Sequence, residues 1–354
     1  MSIQSSLIAL TCLAFSLSSN AYQASLIQEE RTKKEVMKSN TKLLKYTAPE
    51  KNRNGKHIVL IANDHEYRSE EAIPALARIL TFHHGFDTTV IFGLDKDGKI
   101  MAGAPDMPGT EALDKADLMI IAARFINIPD AQIKPIHDYI QRGGPIVGLR
   151  TSTHAFKLKP QSVYMELDFR QKEAAHKGGF GHQILGQSWV GHYGTNHKQS
   201  TRIDLIEDKK HHPILSGVKN AWVQAGGYNA EPQADWDILA MAQPLLSMKP
   251  DGKDDPKKPA MAGHWTRHYT TADGQKHRVV TSLYGASEDF TNDGYRRMIL
   301  NSVFWSLSME KDIKPDLNID FLGDYKPTTF KTGGALKGIS PSDYQDPKST
   351  IPKQ

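Results

Sequence analysis

Two clusters of polar residues could do chemistry. Arg150-Thr151-Ser152-Thr153-His154 follows a short apolar run, Ile146-Val147-Gly148-Leu149. Asp64-His65-Glu66-Tyr67-Arg68 follows another, Ile58-Val59-Leu60-Ile61-Ala62. An imidazole beside carboxylates, as at His65 and Glu66, is suited to proton transfer near neutral pH. Arg150 stands where a Gly-x-nucleophile-x-Gly turn would present its nucleophile. A guanidinium cannot attack a carbonyl, but it holds a carboxylate, phosphate or oxyanion in a fixed fork. Backbone N–H groups at the helix start beyond it, around Thr151 and Ser152, would add to an anion site. Each cluster also has a plain reading: Asp64 and Glu66 as helix caps, His65 as a solvated loop residue, Arg150 in a structural ion pair and His154 simply packed.

His182, His192 and His197 lie within one glycine-rich stretch and are candidate ligands for a divalent metal, although no HExxH-type spacing is present. Late in the chain, Glu288 and Asp289 are candidates for a second acid or base, or for caps of the last helix. Paired carboxylates cleave glycosides only at defined separations, which the sequence does not give.

The elements that position these groups alternate. Strands are predicted over 56–62, 86–92, 117–122 and up to Gly148, and helices from Ser69 and from Pro129 to about Gln141. A further helix is predicted over 162–176, strands over 202–206, 236–241 and 277–283, and a closing helix over 294–307. Strand–helix alternation with short connections predicts an α/β fold with a doubly wound, mostly parallel sheet. Ligands bind such a sheet at the carboxyl ends of its strands.

The 354 residues are 39% hydrophobic and 24% charged, with a formal charge of +4. That dispersed charge argues against a nucleic-acid partner. Residues 1–21 carry no charged side chain, have an apolar run from Leu7 to Leu17 and end in Ser19-Asn20-Ala21, the pattern of a secretory signal peptide. The run is too short to span a membrane. An exported protein, periplasmic or secreted, is expected. The single cysteine, Cys12, falls in this leader, so the mature chain would have no disulfide, thiolate metal site or cysteine nucleophile. Residues 22–55 read as a linker, 56–310 as the α/β domain, and 311–354 as an extended, partly disordered arm that makes a homodimer plausible.

Together, the loop 64–68, the turn 148–156, the segment 186–197, His212-Pro213-Ile214, His264-Trp265-Thr266-Arg267 and Thr281-Ser282-Leu283-Tyr284-Gly285 resemble the trehalose-utilisation (ThuA-like) family. That family belongs to the class I glutamine amidotransferase-like, flavodoxin-like group, and the resemblance runs from about Lys56 to Leu307. It implies a polar pocket above the sheet and a small carbohydrate, a sugar or oxidised (keto) sugar or glycoside, as substrate. The amidotransferase relatives place a Cys where this chain has Arg150, and many family members place a His there. Both differences exclude glutaminase chemistry. On this reading the catalytic candidates are His65, Glu66, Arg150 and His192. Asp64, Arg68, Thr151, Ser152, His154, Trp189, His197, Trp265 and Tyr284 are candidates for substrate binding, with Trp189, Trp265 and Tyr284 as sugar platforms. No cofactor is expected, though a divalent metal is possible. A non-catalytic carbohydrate-binding or assembly module and a His-ligated metal-dependent hydrolase are the alternatives.

Overall fold

Four apolar runs rich in Ile, Val and Leu form the centre of the sheet: β2 (His57–Asn63), β3 (Asp87–Phe92), β4 (Leu118–Ala123) and β5 (Ile146–Leu149). They are almost wholly buried because helices cover both faces. In the computed structural model, which describes residues 41–353, α1 (Ser69–Phe82) links β2 to β3 and α2 (Asp130–Gln141) links β4 to β5. Side chains alternate across a strand. Ile58, Leu60 and Ala62 therefore join Ile73, Leu76 and Leu80 of α1 and Ile299 of α3 (Asp293–Ser306) in one core. Val59 and Ile61 join Ile133 and Ile136 of α2 in the other. Each fully buried Ile or Leu contributes roughly 1.5–3 kcal/mol. The expected leader, residues 1–21 with Cys12, lies outside the described residues, as does most of the expected linker.

The sheet has ten strands in the order β1-β3-β2-β4-β5-β10-β9-β8-β6-β7. The remaining strands are β1 (Leu43–Tyr46), β6 (Thr201–Leu205), β7 (Trp222–Val223), β8 (Asp237–Pro244), β9 (Met261–Thr270) and β10 (Lys276–Ser282). Among the described strands, only the run β3-β2-β4-β5-β10 is parallel. The other pairings are antiparallel, so the sheet is mixed rather than mostly parallel. The reason is connection length. β9 and β10 are joined by a turn closed by Thr271 N–H to the Gln275 carbonyl, with Gly274 at φ 82°. A link that short can only make an antiparallel pair.

Three segments depart from the sequence prediction. Leu43–Tyr46, inside the expected linker, is an edge strand on β3. Over 162–176 the only helical element is the single turn Met165–Leu167. The Asp168 carboxylate gathers the N–H groups of Leu158 and Arg170 and the Arg170 guanidinium, which folds this segment back on itself. The third is the segment from Lys311. It contains little regular structure, but it is pinned. Phe330, Tyr344 and Ile351 are each 1% exposed. The fully buried Arg78 of α1 donates to the carbonyls of Leu322, Tyr344, Asp346 and Ser349. The arm is a strap across α1.

Candidate functional site

The carboxyl ends of β2, β4 and β5 are adjacent, and each loop leaving them holds a non-glycine residue in the left-handed region: Arg68 (φ 60°), Phe125 (φ 53°) and Arg150 (φ 43°). Such conformations cost of order 1–3 kcal/mol each and gather where function requires a fixed geometry. Backbone bonds tie the loops together. Arg124 N–H donates to the Asn63 carbonyl and Phe125 N–H to that of His154.

Buried Asp64 organises the first loop. Its carboxylate accepts from Thr151 Oγ1 at 2.5 Å and from the N–H groups of Glu66 and Tyr67. Ser69 Oγ accepts from Asp64 N–H. Arg68, rather than Ser69, precedes α1 at its N-cap. Thr151 and Ser152 are fully buried, and Ser152 Oγ donates to the Ile121 carbonyl. The turn they occupy, Arg150–His154, is a single five-residue 3-10 turn. Its N–H groups form no extended helix start, so the anion site expected there is not built.

Arg150 is also buried, at 2% exposure. Its guanidinium carbon lies 3.8 Å from the Tyr67 ring centre and 4.6 Å from that of Tyr228. Nη1 donates to the carbonyls of Gly226 and Leu283, while Nε and Nη2 face the rings and have no acceptor. Burial pulls its pKa down, but Tyr228, Tyr67 and Asp289 more than offset this and leave it raised. Arg150 is therefore a permanent charge buried beneath these loops, not a fork open to a ligand.

The loop after β4 carries a second arginine, partly exposed, that the sequence reading missed. Arg124 donates through Nη1 to Glu66 Oε2 at 2.5 Å and to His65 Nε2 at 3.2 Å. Arginine has no acceptor, so His65 Nε2 must be unprotonated and the proton of the neutral ring sits on Nδ1. Burial and then Arg124 lower the His65 pKa, consistent with that assignment.

Beside it, His154, Phe125, Trp189, Tyr228 and His192 form a chain of rings with centroids 5.1–5.9 Å apart. His154 is 1% exposed, and burial, Arg124 and Arg150 hold its pKa well below the usual value. His192 is exposed and its ring nitrogens have no hydrogen-bond partner among the described residues. Burial of part of the ring and then Arg150 lower its pKa, so it is neutral at pH 7. Trp189 is half-buried, with Nε1 unpartnered.

Other candidates fall elsewhere. Trp265 is fully buried, stacks on Trp236 at 3.9 Å and donates to the Leu185 carbonyl. Tyr284 is 1% exposed. Neither can offer a face to a sugar. Buried Asp289 accepts from four N–H groups, those of Gln224, Ala225, Gly285 and Ala286, and Glu288 accepts from Phe330 N–H of the strap. Both are structural. Arg68 is buried and donates to Thr328 Oγ1. His197 stacks on Phe330, His192 meets Trp189 and Tyr228 edge-on, and His182 lies against Gly178. The three histidines of the metal hypothesis thus face different neighbours. Among the described residues, no group of three or more His, Cys, Asp or Glu side chains could hold a metal ion.

Tyr67, Phe125 and Tyr228 are further site residues missed from the sequence. A positive φ leaves no mark on residue type at Phe125, and Tyr228 arrives from a distant loop. The run Arg124-Phe125 directly after the β4 strand was the one available signal.

No protein-family model and no curated protein sequence matches this chain. Among solved structures, a ThuA-like protein from Parabacteroides merdae ATCC 43184 aligns over 82% of this chain and 99% of its own, at 15% identity and a TM-score of 0.48. The exo-β-1,4-mannosidase Op5Man5 from Opitutaceae bacterium strain TAV5 aligns over 71% of this chain and 36% of its own, at 11% identity and a TM-score of 0.32. The N-terminal domain of mmIFT52 aligns over 72% and 97%, at 11% identity and a TM-score of 0.38.

Proposed function

We propose that this chain is an exported, ThuA-like enzyme that moves a proton on a sugar or oxidised sugar, with His192 as the base. The observation that carries the reading is His192 itself. It is an exposed imidazole, without a hydrogen bond from its ring to any described residue, kept neutral, and set against the rings of Trp189 and Tyr228. The ThuA-like resemblance of the sequence supplies the substrate class and the doubly wound, flavodoxin-like reading of the domain over 56–310. No helix among the described residues is long and apolar enough to cross a membrane.

In the proposed step, His192 removes the proton next to a carbonyl, and the C–H electron pair moves onto the carbonyl oxygen as an enediolate. Arg124 at the crevice surface and the buried charge of Arg150 oppose the developing negative charge. Both act on His192 electrostatically, as does Glu66. Return of the proton to the former carbonyl carbon, with the hydroxyl proton passing from one enediolate oxygen to the other, gives an isomer. Loss of a β-substituent instead gives elimination. Either outcome needs no cysteine or serine nucleophile, and the chain has no cysteine after Cys12.

One observation favours a non-catalytic carbohydrate-binding module: Arg150, Thr151, Ser152 and His154 are all buried and turned inward. The deciding experiment incubates protein from Tyr22 onward with sugars and their 3-keto forms, following binding and conversion by mass spectrometry beside His192→Ala. Conversion by the wild type, lost in the variant with binding retained, supports the enzyme. Binding with no conversion by either protein supports the module. Absence of both from a folded wild type would sink the carbohydrate assignment.

A further inference from the structure

Glu70, in the first turn of α1, is a buried acid that the proposed reaction does not use. It is 5% exposed, and no other residue among those described donates a hydrogen bond to either carboxyl oxygen. It lines a cavity of about 10 Å³ whose other walls are Glu71, Ile100 and four residues of the strap, Leu336, Ile339, Tyr344 and Pro352. A space of that size holds about one water at most, far short of a carboxylate's hydration shell. A first-turn position favours a negative charge by about 0.3–1 kcal/mol, but several kcal/mol oppose burying one unpaired. Glu70 therefore favours its neutral form while the cavity is closed, and it ionises more readily once the strap lifts.

The same strap holds the crevice loop. Thr328 donates through its N–H and Oγ1 to Glu71, and Arg68 donates back to Thr328 Oγ1 and to the Thr329 carbonyl. Gly333 N–H donates to the His65 carbonyl. Phe330 packs on Tyr67 with ring centres 5.1 Å apart, on the residue that lies against Arg150. Beyond the cavity, Ile100 N–H donates to the Ile339 carbonyl and Lys99 Nζ to Ser340 Oγ.

We propose that Glu70 is the latch of a proton-operated clamp: while its carboxyl is neutral the strap over 328–344 holds the loop 64–68, and ionisation of Glu70 releases both. The clamp follows from the strap contacts alone; only its bearing on activity rests on the role proposed above for the crevice.

The charged surroundings agree. Burial raises the Glu70 pKa from 4.5 to about 8, with Glu71 and Asp64 adding to the rise and the Glu70 N–H and Arg68 opposing it. Burial also raises Glu71, against its bonds to Thr328. From the strap, Tyr344 faces the cavity and burial pushes its phenol up, so it stays neutral through this range. Asp343 is paired with Lys353, and Lys99 is engaged by Ser340. The sign follows from the raised pKa. The closed state binds the extra proton, so closure is fully favoured below pH 4.5 and is lost progressively up to about pH 8.

The test is hydrogen exchange of the full chain from pH 5.5 to 9, corrected for intrinsic rates, in wild type and Glu70→Gln. Protection of 328–344 and of 64–68 should fall together, about tenfold per pH unit, and level off above about pH 8. In Glu70→Gln, which cannot ionise, it should be flat. A flat wild-type profile, or the same slope in the variant, overturns the clamp. Should Glu70→Gln not fold, the infrared band of a protonated carboxylic acid in the wild type decides. Its presence at pH 7 and loss by pH 9, in step with strap opening, supports the latch, and its absence at pH 7 refutes it. Exchange reads the clamp without any substrate, so its failure leaves the proposed reaction standing, and the reverse.

Discussion

The Arg150 guanidinium carbon lies over the Tyr67 ring, 3.8 Å from its centre. A cation held this way does not present its fork to a ligand, but its field reaches the histidines above it. Arg150 is the largest charge lowering the His192 pKa, after burial of the ring itself. Arg150→Met removes the charge at similar volume. The His192 and His154 titration midpoints, followed by NMR, should both move up toward the ordinary value of 6.5. The substitution should also cost about 3 kcal/mol in denaturant unfolding, because Asp289 loses its buried counter-charge. Unchanged midpoints in a folded variant would show that Arg150 serves packing alone.

A neutral base sets the pH profile. The His192 pKa is lowered, so the ring is already unprotonated at neutrality and only acid disables it. The rate should rise with pH to a midpoint below 6.5 and then stay level across neutrality. His192→Ala should lower kcat by about 10²–10⁴-fold. Its stability should change by no more than about 0.5 kcal/mol, as for most exposed sites. A rate that keeps climbing above pH 7 would point to a different base.

Arg124 makes a separate, checkable claim on His65. Its Nη1 is 3.2 Å from His65 Nε2, which fixes that nitrogen as an acceptor. Nitrogen-15 shifts should report the Nδ1–H tautomer. In Arg124→Gln the His65 midpoint should rise, since Arg124 is the second cause of its depression after burial. The other tautomer in the wild type would mean that the Glu66–Arg124 pair does not engage the ring in solution.

The parallel half of the sheet is legible in the sequence because each strand there is a short apolar run followed by a helical pattern with clear stops, such as Gly143-Gly144 after α2. β9 is not, because Met261–Thr270 alternates small, aromatic and charged residues and carries no apolar run, its order coming from β8 and β10 on either side. Residue type singled out the loops after β2 and β5, but it misjudged depth. Arg150 and Trp265 have polar atoms, and nothing local says that tyrosine faces and a second tryptophan will bury them. The strap was opaque for a related reason. Its apolar residues are few and widely spaced, and its order depends on one arginine 266 residues before Tyr344, far beyond any periodicity.

That arginine gives the sharpest test of the strap. Arg78 Nε donates to Tyr46 Oη, and its two terminal nitrogens donate to four carbonyls and to Ser349 Oγ. The acceptors surround a planar fork on three sides. Arg78→Lys keeps the charge but offers three N–H donors from one atom, so at least two or three of these buried acceptors lose their partner. At roughly 1–3 kcal/mol for each orphaned group, the variant should lose about 3–5 kcal/mol. Limited proteolysis should then cut first between 322 and 349, leaving the sheet intact. If Arg78→Lys instead unfolds with wild-type stability and the strap resists protease, the strap is held by its apolar anchors Phe330, Tyr344 and Ile351, and the guanidinium is incidental to it.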